Sequence, residues 1–505
     1  MNIREVRSRV PDVMAIYLVA PTEENFKIIE NDLNQNIFDN FYLNFIDKVD
    51  DYIFQNFFSN LINTNRYQRI YRISVHPIDF LMFHPKLFTL NIENSYQFLN
   101  LPGIQENEIN NYYNKIGKGL YNLLYTLKTI PVIKYRQNWF AENIIKVVQD
   151  NFNYLFDKFP EIKEEFPRKN NALLIILDRD TDIPIMLHHA GSLGSMVNDL
   201  FGISRKKNDK KFEIDPHVDY IWNTYLTTDY PTAHGKISED LKGIIEKTDF
   251  LNNSNSKSED IEKVSEQINS TLDNIRDITI RQTVLKNHAN SAEKLSNEIK
   301  TRFLDKFYDL EFTILSNRKS SKETYKKLVD ILGLKSTNTN YKNDCLRLIL
   351  IYYLIQNKAS NEELNNIENL FNEYGINKNS FEYLKQKKSF EESMKKDNNS
   401  NSINEGGNSF FNYFANKSKN LIKGVSSLMS SEQPSTVADI VNNLSSKKNV
   451  NSFSSYNLLK KSIDDNNNNN FEQVIVFMVG GGSLAEFEYI DQLLMQNHKN
   501  VYYFI

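Results

Sequence analysis

The sequence predicts a multidomain chain in which two parallel-sheet α/β regions flank a large, mostly α-helical insertion. Uninterrupted apolar runs, which are typical of buried parallel strands, occur towards both ends of the chain. Between residues 235 and 395, apolar residues instead recur at three- and four-residue steps, which is the spacing of amphipathic helices. A length of 505 residues suits roughly three domains of about 150 residues each.

The N-terminal region predicts a β-α-β unit. Residues 13–20 (VMAIYLVA) form an apolar run that ends at Pro21, and Thr22 can cap the following helix. The run at 41–47 (FYLNFID) predicts the second strand. Because a complete strand follows Met1 almost at once, we expect the first domain to have strands that precede this sequence.

Further α/β elements are predicted up to about residue 222. They are short aromatic strands within 66–101, a helix at 108–130, a strand at 131–135 and a helix at 139–158. A second continuous apolar strand, 172–177 (ALLIIL), ends in the acidic sequence DRDTD.

The helical region is charged and poor in glycine, as expected of long helices and helical hairpins. Its periodic apolar positions include Ile261, Val264, Ile268, Leu272, Leu285, Ala292 and Leu295. Residues 252–259 predict an exposed loop, and 396–408 and 464–470 predict low-complexity linkers.

After the second linker the α/β pattern returns. It consists of a strand at 473–479, a glycine turn at 480–482, a helix at 484–495 and a strand at 501–505. This segment most simply completes a sheet begun before the helical region, which is therefore predicted to be an insertion. Because the chain stops on apolar residues inside an element, we expect the natural domain to extend further.

Composition excludes several kinds of partner and site. With 60 basic and 64 acidic residues the net charge is −4, which argues against general nucleic-acid binding. The single cysteine, Cys345, excludes an internal disulfide and a cysteine-rich metal site. The best apolar run, 346–355, is too short to span a membrane. We expect a soluble intracellular protein without cofactor or metal, and any membrane contact would have to be peripheral.

The DRDTD sequence allows two interpretations. A strand followed by D-x-D is similar to magnesium-dependent phosphotransferases of the haloacid-dehalogenase type, with Asp178 as nucleophile and Asp180 as general acid. In the alternative, Arg179 pairs with Asp178 or Asp182 and fixes the loop. A calcium loop is excluded, because the glycine and the final glutamate that it needs are missing.

Two further motifs are candidates for chemistry. His188 and His189 are adjacent, so their side chains point in different directions, and packing or polar roles are favoured over metal binding. The sequence from Gly480 through Gly481 and Gly482 fits G-x-G-x-x-A between a strand and a helix. A nucleotide-binding module therefore stays open beside a simple tight turn.

Four segments, in this order, resemble the SM family, the Sec-one/Munc-eighteen-like proteins that bind SNAREs and promote vesicle fusion. They are PDVMAIYLVAPTEENF (11–26), NFYLNFID (40–47), LLIILDRDTDIPIMLHH (173–189) and FMVGGGSLAEFEYI (477–490). The likeness spans 11–505 and is greatest to the Sly-one branch, the syntaxin-five partner in ER–Golgi traffic. It implies a non-enzymatic SNARE chaperone that binds a syntaxin-type Qa-SNARE and other SNAREs of that step, peripherally associated with ER and Golgi membranes.

The resemblance also implies an arch of three domains. The first α/β domain is 1–95, the second combines 96–222 with 470–505, and the helical third is 223–469. In this arrangement Asp178, Arg179 and Asp182 are structural, and the glycine turn closes the sheet of the second domain.

Three contact surfaces are implied in the same way. A pocket for a syntaxin N-terminal peptide is expected on the first domain at Phe80, Leu81, Phe83, Leu87 and Phe88. Helices that template SNARE assembly are expected around Leu285, His288, Leu295 and Lys300. A loop that restrains SNARE access or touches membrane is expected at Leu241, Ile244, Ile245, Phe250 and Leu251, with ordinary helical packing as the alternative.

The sequence departs from the family pattern after His189. The family usually reads T-W-T-Y-Q-A-L-V-H-D there, whereas residues 190–199 read AGSLGSMVND. The Trp, Tyr and Gln are absent while Asp199 remains. Losing two large aromatic side chains predicts either looser local packing or repacking by neighbouring residues.

Overall fold

The structure is a computed structural model of the chain. It describes residues 3–5, 8–10, 12–101, 103–136, 139–166, 172–205, 211–254, 261–317, 321–356, 360–397, 434–446, 453–458 and 471–504. Within these ranges, side chains are described except at 139, 244–254, 261–278, 390–397 and 457.

The secondary structure alternates between strands and helices at both ends and is helical in between. The strands are β1 (Met14–Val19), β2 (Asn40–Phe45), β3 (Ile70–Val75), β4 (Leu81–His84), β5 (Leu87–Thr89), β6 (Val132–Tyr135), β7 (Ala172–Asp178), β8 (Ile203–Ser204), β9 (Phe212–Glu213), β10 (Ser454–Asn457), β11 (Gln473–Val479) and β12 (Asn500–Phe504). The helices are α1 (Glu23–Asn34), α2 (Asp51–Asn63), α3 (Ser95–Leu99), α4 (Glu106–Thr126), α5 (Trp139–Lys158), α6 (Leu193–Phe201), α7 (Tyr220–Tyr225), α8 (Tyr230–Ser254), α9 (Ile261–Arg302), α10 (Leu304–Asn317), α11 (Lys322–Leu332), α12 (Tyr341–Ile355), α13 (Asn361–Glu373), α14 (Asn379–Asp397), α15 (Thr436–Ser445) and α16 (Leu484–Met495).

Contacts between Cα atoms divide the chain into two compact units. The first unit consists of Met1–Leu81, Ile104–Ile130 and Glu142–Asn170. The second unit consists of Met82–Gly103, Pro131–Ala141 and Asn171–Ile505.

The first unit contains a parallel sheet in the order β1-β2-β3, which confirms the predicted β-α-β start. The Thr22 side chain accepts a hydrogen bond from the Asn25 amide and caps α1, as predicted. Alternate residues of β1 pack into a core with α1, β2 and α2. The other face of β1, with Ile16 at its centre, is exposed. The strand is therefore buried on one face only, whereas the continuous apolar run predicted burial on both faces.

The second unit contains a seven-stranded sheet in the order β10-β6-β7-β11-β12-β5-β4. Strand β11 pairs in parallel with β7, from Gln473 opposite Ala172 to Val479 opposite Asp178. The strand that follows the helical region therefore lies directly beside the strand that precedes it, as the returning pattern predicts. The pairing confirms the fold class of α/β sheets with a helical insertion.

Between β9 and β10, the described residues form the helices α7 to α15, and α8 to α14 cover the region where the periodicity predicts helices. Two short elements in 223–469 were missed. Helix α15 is buried along most of its length, and β10 pairs antiparallel with β6 at the sheet edge. Strand β10 reads SSYN, which carries no apolar alternation that would reveal it.

The predicted boundary at residue 95 differs from the observed strand pairing. It assigns β4 and β5 to the first domain, whereas β5 pairs with β12 in the seven-stranded sheet. Both strands are short and aromatic, so their composition does not reveal which sheet they join. The three-domain division itself stays a prediction.

Candidate functional site

The DRDTD loop begins at the carboxyl end of β7, and its arginine is the centre of a buried ion pair. The Arg179 side chain is only 3% exposed. Its Nη1 donates to Glu486 Oε2 at 2.6 Å, and its Nη2 donates to Oε1 at 2.5 Å. The Tyr503 hydroxyl donates to Glu486 Oε2 at 2.7 Å. This bidentate ion pair connects the loop after β7 to helix α16.

Local sequence places Glu486 correctly for this contact. Ser483 and Glu486 form a capping box at the start of α16: the Glu486 amide donates to the Ser483 hydroxyl, and the Ser483 amide donates to the Glu486 carboxylate. The capping box at the start of α16 thus helps to hold the Glu486 carboxylate in the orientation in which it binds Arg179.

The acidic residues of the loop also contact other segments. Asp182 Oδ2 accepts from the Thr436 amide at 2.7 Å, at the start of α15. Asp180 Oδ1 accepts from the Tyr96 hydroxyl at 2.9 Å and from Lys387 Nζ at 3.1 Å. Because Asp180 is buried and bonded to Lys387 and Tyr96, it does not face an open metal site. The structure therefore does not support the phosphotransferase alternative.

Side chains of the protein lie against two of the three glycines in the turn before α16. Gly480 and Gly481 have φ of +95° and +93°, which favours glycine. A Cβ at Gly482 would lie 2.4 Å from Tyr503 Oη, and one at Gly480 would lie 3.0 Å from the Arg179 Cβ, whereas nothing lies within 4 Å of a Cβ at Gly481. The positive φ values and the two close approaches explain the glycines as a tight turn, so the nucleotide-binding alternative is not needed to account for them.

The adjacent histidines lie in a buried polar network, which confirms the polar role predicted for them. His188 Nδ1 lies 3.0 Å from Glu311 Oε2, and His188 Nε2 lies 3.0 Å from the Tyr489 hydroxyl. His189 Nδ1 lies 2.7 Å from Glu311 Oε1, and His189 Nε2 lies 3.1 Å from Asp344 Oδ1. The network connects the loop after β7 with α10, α12 and α16.

Residues 190–199, where the sequence departs from the family pattern, include two closely packed glycines. Gly194 lies against Leu226, and a Cβ at this glycine would be 2.1 Å from Leu226 Cδ1 and 2.8 Å from the Leu226 carbonyl oxygen. Gly191 lies against the ring of Tyr308, 3.2 Å from the position that its own Cβ would take. The segment is therefore closely packed at both glycines, and repacking relative to the family pattern stays a prediction.

Replacing Gly194 with alanine is expected to lower the free energy of unfolding by about 1–3 kcal/mol through overpacking. Gly235 in α8 is the matched control, because nothing lies within 4 Å of a Cβ there. Gly235→Ala should raise stability by about 0.5–1 kcal/mol through helix propensity. Urea unfolding followed by circular dichroism measures both, and equal effects would contradict the close packing of Gly194.

Glu488 is a buried carboxyl that is hydrogen-bonded to the hydroxyl groups of Ser192 and Ser195 and to the backbone of Ser192. Its Oε2 accepts from the Ser195 hydroxyl at 3.1 Å, and Ser195 in turn accepts from the Ser192 hydroxyl. Burial raises the pKa of Glu488 to about 6, although the serine hydrogen bonds partly oppose this.

Because this pKa is raised above the ordinary 4.5, the folded state binds the proton more tightly than the unfolded state. The contribution to stability is full below pH 4.5 and is lost as the pH rises through 6, a change of about 2 kcal/mol. Glu488→Gln should remove it. Unfolding free energies of both proteins between pH 4.5 and 7.5 should therefore differ by a pH-dependent amount, and a constant difference would refute the assignment.

The residues predicted for the peptide pocket lie on β4, β5 and the turn before them. Phe83, Leu87 and Phe88 are buried, Phe80 is half-buried, and Leu81 is 37% exposed. The Phe83 carbonyl accepts a hydrogen bond from Trp222 Nε1 at 2.8 Å. Three of the five side chains thus pack inward, and Leu81 is the most exposed of the five. The pocket stays a prediction.

The predicted template residues lie on α9 and are mostly buried. Leu285 and Leu295 are fully buried in the helical core, and His288 bonds to Asp219 at 2.9 Å. Only Lys300 is exposed. The apolar positions of α9 pack inward because they form the stripe by which the helix joins the core.

The predicted membrane or restraining loop falls largely outside the described side chains. Leu241 is partly buried against the core of the second unit. The side chains of Ile244, Ile245, Phe250 and Leu251 are not among those that the structure describes. The backbone of 244–254 continues α8.

The described part of the chain offers neither a candidate metal site nor a candidate membrane-spanning helix. In that part of the chain, no three or more His, Cys, Asp or Glu side chains are placed to hold one metal ion. None of the helices described is both long enough and apolar enough to cross a membrane.

The fold defines a class of protein in which a helical insertion separates neighbouring strands of one α/β sheet. The chain belongs to the Sec1 family, whose model matches residues 1–505. It is 26% identical to protein SLY1 of Saccharomyces cerevisiae, over 99% of this chain and 83% of that protein.

Solved structures with the same fold include two from complexes. Sly1p, crystallised with an N-terminal peptide of Sed5p, matches with a TM-score of 0.74 and 23% identity, covering 99% of this chain and 83% of that one. The SM protein Vps45, in complex with the Qa SNARE Tlg2, matches with a TM-score of 0.66 and 16% identity, covering 99% and 85%.

Proposed function

We propose that this chain is a non-catalytic SNARE-binding regulator of vesicle fusion whose main partner is a Qa-SNARE of the ER–Golgi step. The observation that carries the proposal is the match to the Sec1 family along the whole chain, together with the similarity to SLY1. Sly1p binds an N-terminal peptide of Sed5p, and Vps45 binds the Qa SNARE Tlg2. A Qa-SNARE is the partner type common to both.

The proposal also covers where in the cell the protein acts and how its chain is divided into domains. A regulator of this kind would act in the cytoplasm and associate peripherally with ER and Golgi membranes. Its three parts would be an N-terminal α/β domain, a second α/β domain completed by the C-terminal strands, and the helical insertion. Contacts of Asp180, Asp182 and Arg179 with protein groups support a structural role for the DRDTD loop.

A templating role for α9 would rely on its exposed face. That face carries Lys286, Lys294 and Lys300 beside amide and acidic side chains. Partner helices aligned there would be selected by charge and hydrogen bonding, since Leu285 and Leu295 are used by the core.

Calorimetric titration with an N-terminal peptide of an ER–Golgi Qa-SNARE tests the proposal. The folded chain should bind it, and both Phe83→Ala and Leu81→Ala should weaken binding because they alter β4. Met495→Ala, an exposed apolar change at the end of α16, is the control and should leave affinity unchanged.

The results test the proposed function and the proposed pocket separately. If both β4 variants bind the peptide as tightly as the native chain does, the peptide site lies elsewhere, but the chain still binds a Qa-SNARE. A thermal melt of Phe83→Ala distinguishes lost contact from lost folding, because Phe83 packs in the core. Absence of binding by the folded native chain would contradict the proposed function.

A further inference from the structure

We propose that the His189 side chain is a cationic imidazolium that holds the loop after β7 to the helical insertion, and that this contact opens when the imidazolium loses its proton. The residue is buried, and it lies between carboxylates from two helices of the insertion. The proposal concerns a conformational device in the fold and does not depend on the proposed function.

The geometry of the two ring nitrogens requires the charge. His189 Nδ1 faces Glu311 Oε1 at 2.7 Å, and Nε2 faces Asp344 Oδ1 at 3.1 Å. Ionised carboxylate oxygens only accept hydrogen bonds, so each nitrogen must carry a proton. An imidazole with both nitrogens protonated is a cation.

Both carboxylates also accept hydrogen bonds from groups other than the His189 ring. Asp344 accepts two hydrogen bonds from Arg302, from Nε at 2.8 Å and from Nη2 at 2.5 Å. Glu311 also accepts from the His189 backbone amide at 2.7 Å. Burial alone raises the pKa of Glu311, but the charge of His189 and the histidine hydrogen bonds outweigh it and keep that pKa well below its usual range.

The neighbouring histidine provides an internal contrast. His188 donates from Nδ1 to Glu311, whereas its Nε2 faces the Tyr489 hydroxyl, which can donate to it. His188 therefore satisfies both contacts as a neutral ring. Burial lowers the pKa of His188. Burial also acts to lower the pKa of His189, but the charge of Glu311 and the hydrogen bonds to Asp344 and Glu311 together outweigh it and raise that pKa.

The titratable and charged groups around His189 come from each element packed against it. They are His188 on the same loop, Arg302 and Glu298 on α9, Tyr308 and Glu311 on α10, Asp344 and Arg347 on α12, and Glu488 and Tyr489 on α16. Glu311 and Asp344 are balanced by His189 and Arg302. Loss of the His189 proton leaves a buried negative charge without compensation, which favours opening of the contact.

Titration of the histidine side chains in the full chain tests the charge directly. Hydrogen–deuterium exchange at the imidazole Cε1, read by mass spectrometry from pH 5 to 10, reports His188 and His189 separately. The expected midpoint for His189 lies above 6.5 and above that of His188. A midpoint for His189 at or below 6.5 would overturn the proposal.

Backbone amide exchange tests the opening. His189→Gln should accelerate exchange in α10 and α12 by about tenfold or more at pH 7, with little change in α13. The double variant His189→Gln with Glu311→Gln removes both charges and should restore much of the protection. A double variant as unprotected as the single one would refute the charge mechanism, and if neither variant folds, the histidine titration of the native chain decides.

Discussion

Glu486→Gln is expected to lower the free energy of unfolding by about 3–5 kcal/mol, because it leaves the buried charge of Arg179 without its partner. Glu486 accepts from both terminal nitrogens of Arg179 and from the Tyr503 hydroxyl, and it also completes the cap of α16. The same substitution thus weakens an ion pair, a hydrogen bond from β12 and a helix terminus.

Glu488→Gln is the matched control, since it changes a second buried glutamate two residues along the same helix. No salt bridge is found for Glu488 among the described residues, and burial raises its pKa, so neutralising it should cost little at pH 7. Urea unfolding followed by far-ultraviolet circular dichroism measures both variants. Equal losses would show that Arg179 does not depend on Glu486.

Trp222→Ala is expected to lower the free energy of unfolding by about 3–5 kcal/mol, because it opens a large cavity in the core of the second unit. Trp222 is fully buried, and its indole donates to the Phe83 carbonyl at 2.8 Å. Trp222→Phe retains most of the ring but leaves that carbonyl without this donor, so its loss should be smaller, about 1–3 kcal/mol.

The control for this series is Tyr383→Ala, an exposed aromatic residue on α14. Its effect should stay within about 0.5 kcal/mol of the native protein. Circular dichroism is again the appropriate probe, because tryptophan fluorescence changes with the substitution itself. If Trp222→Ala and Tyr383→Ala lowered the free energy of unfolding by the same amount, the burial of the indole and its hydrogen bond to β4 would be disproved.

Local patterns predicted the elements, because strands and helices have different apolar periodicities. The run at 172–177 became β7, and the return of the α/β pattern at 473–479 correctly predicted that β11 completes the same sheet. The capping residues Thr22 and Ser483 lie within three residues of the amides that they cap, so such contacts are readable from sequence.

Long-range partners were not predictable in this way. Arg179 was expected to pair with Asp178 or Asp182, yet its carboxylate partner is Glu486, which is 307 positions away. The partners of His189, Glu311 and Asp344, are equally remote. Glutamates inside otherwise apolar helix segments, such as LAEFEYI at 484–490, were the available signal that buried carboxylates needed partners.

Contact surfaces were harder to predict than the core, because the same apolar residues suit both. Phe83 and Leu87 were expected to line a peptide pocket but pack in the second unit. Leu285 and Leu295 were expected to face SNARE helices but form the inner stripe of α9. Apolar residues at helical spacing usually pack in the core. Only the exposed fraction of the side chain distinguishes a core residue from a residue that contacts a partner.

We propose that this Sec1-family chain acts by binding a Qa-SNARE. The most direct test is a titration of the folded chain with the cytoplasmic part of an ER–Golgi Qa-SNARE, repeated with the same SNARE lacking its N-terminal segment. We expect saturable binding that weakens when that segment is removed. Failure to bind this SNARE in either form, by a chain whose folding is verified by circular dichroism, would contradict the proposal.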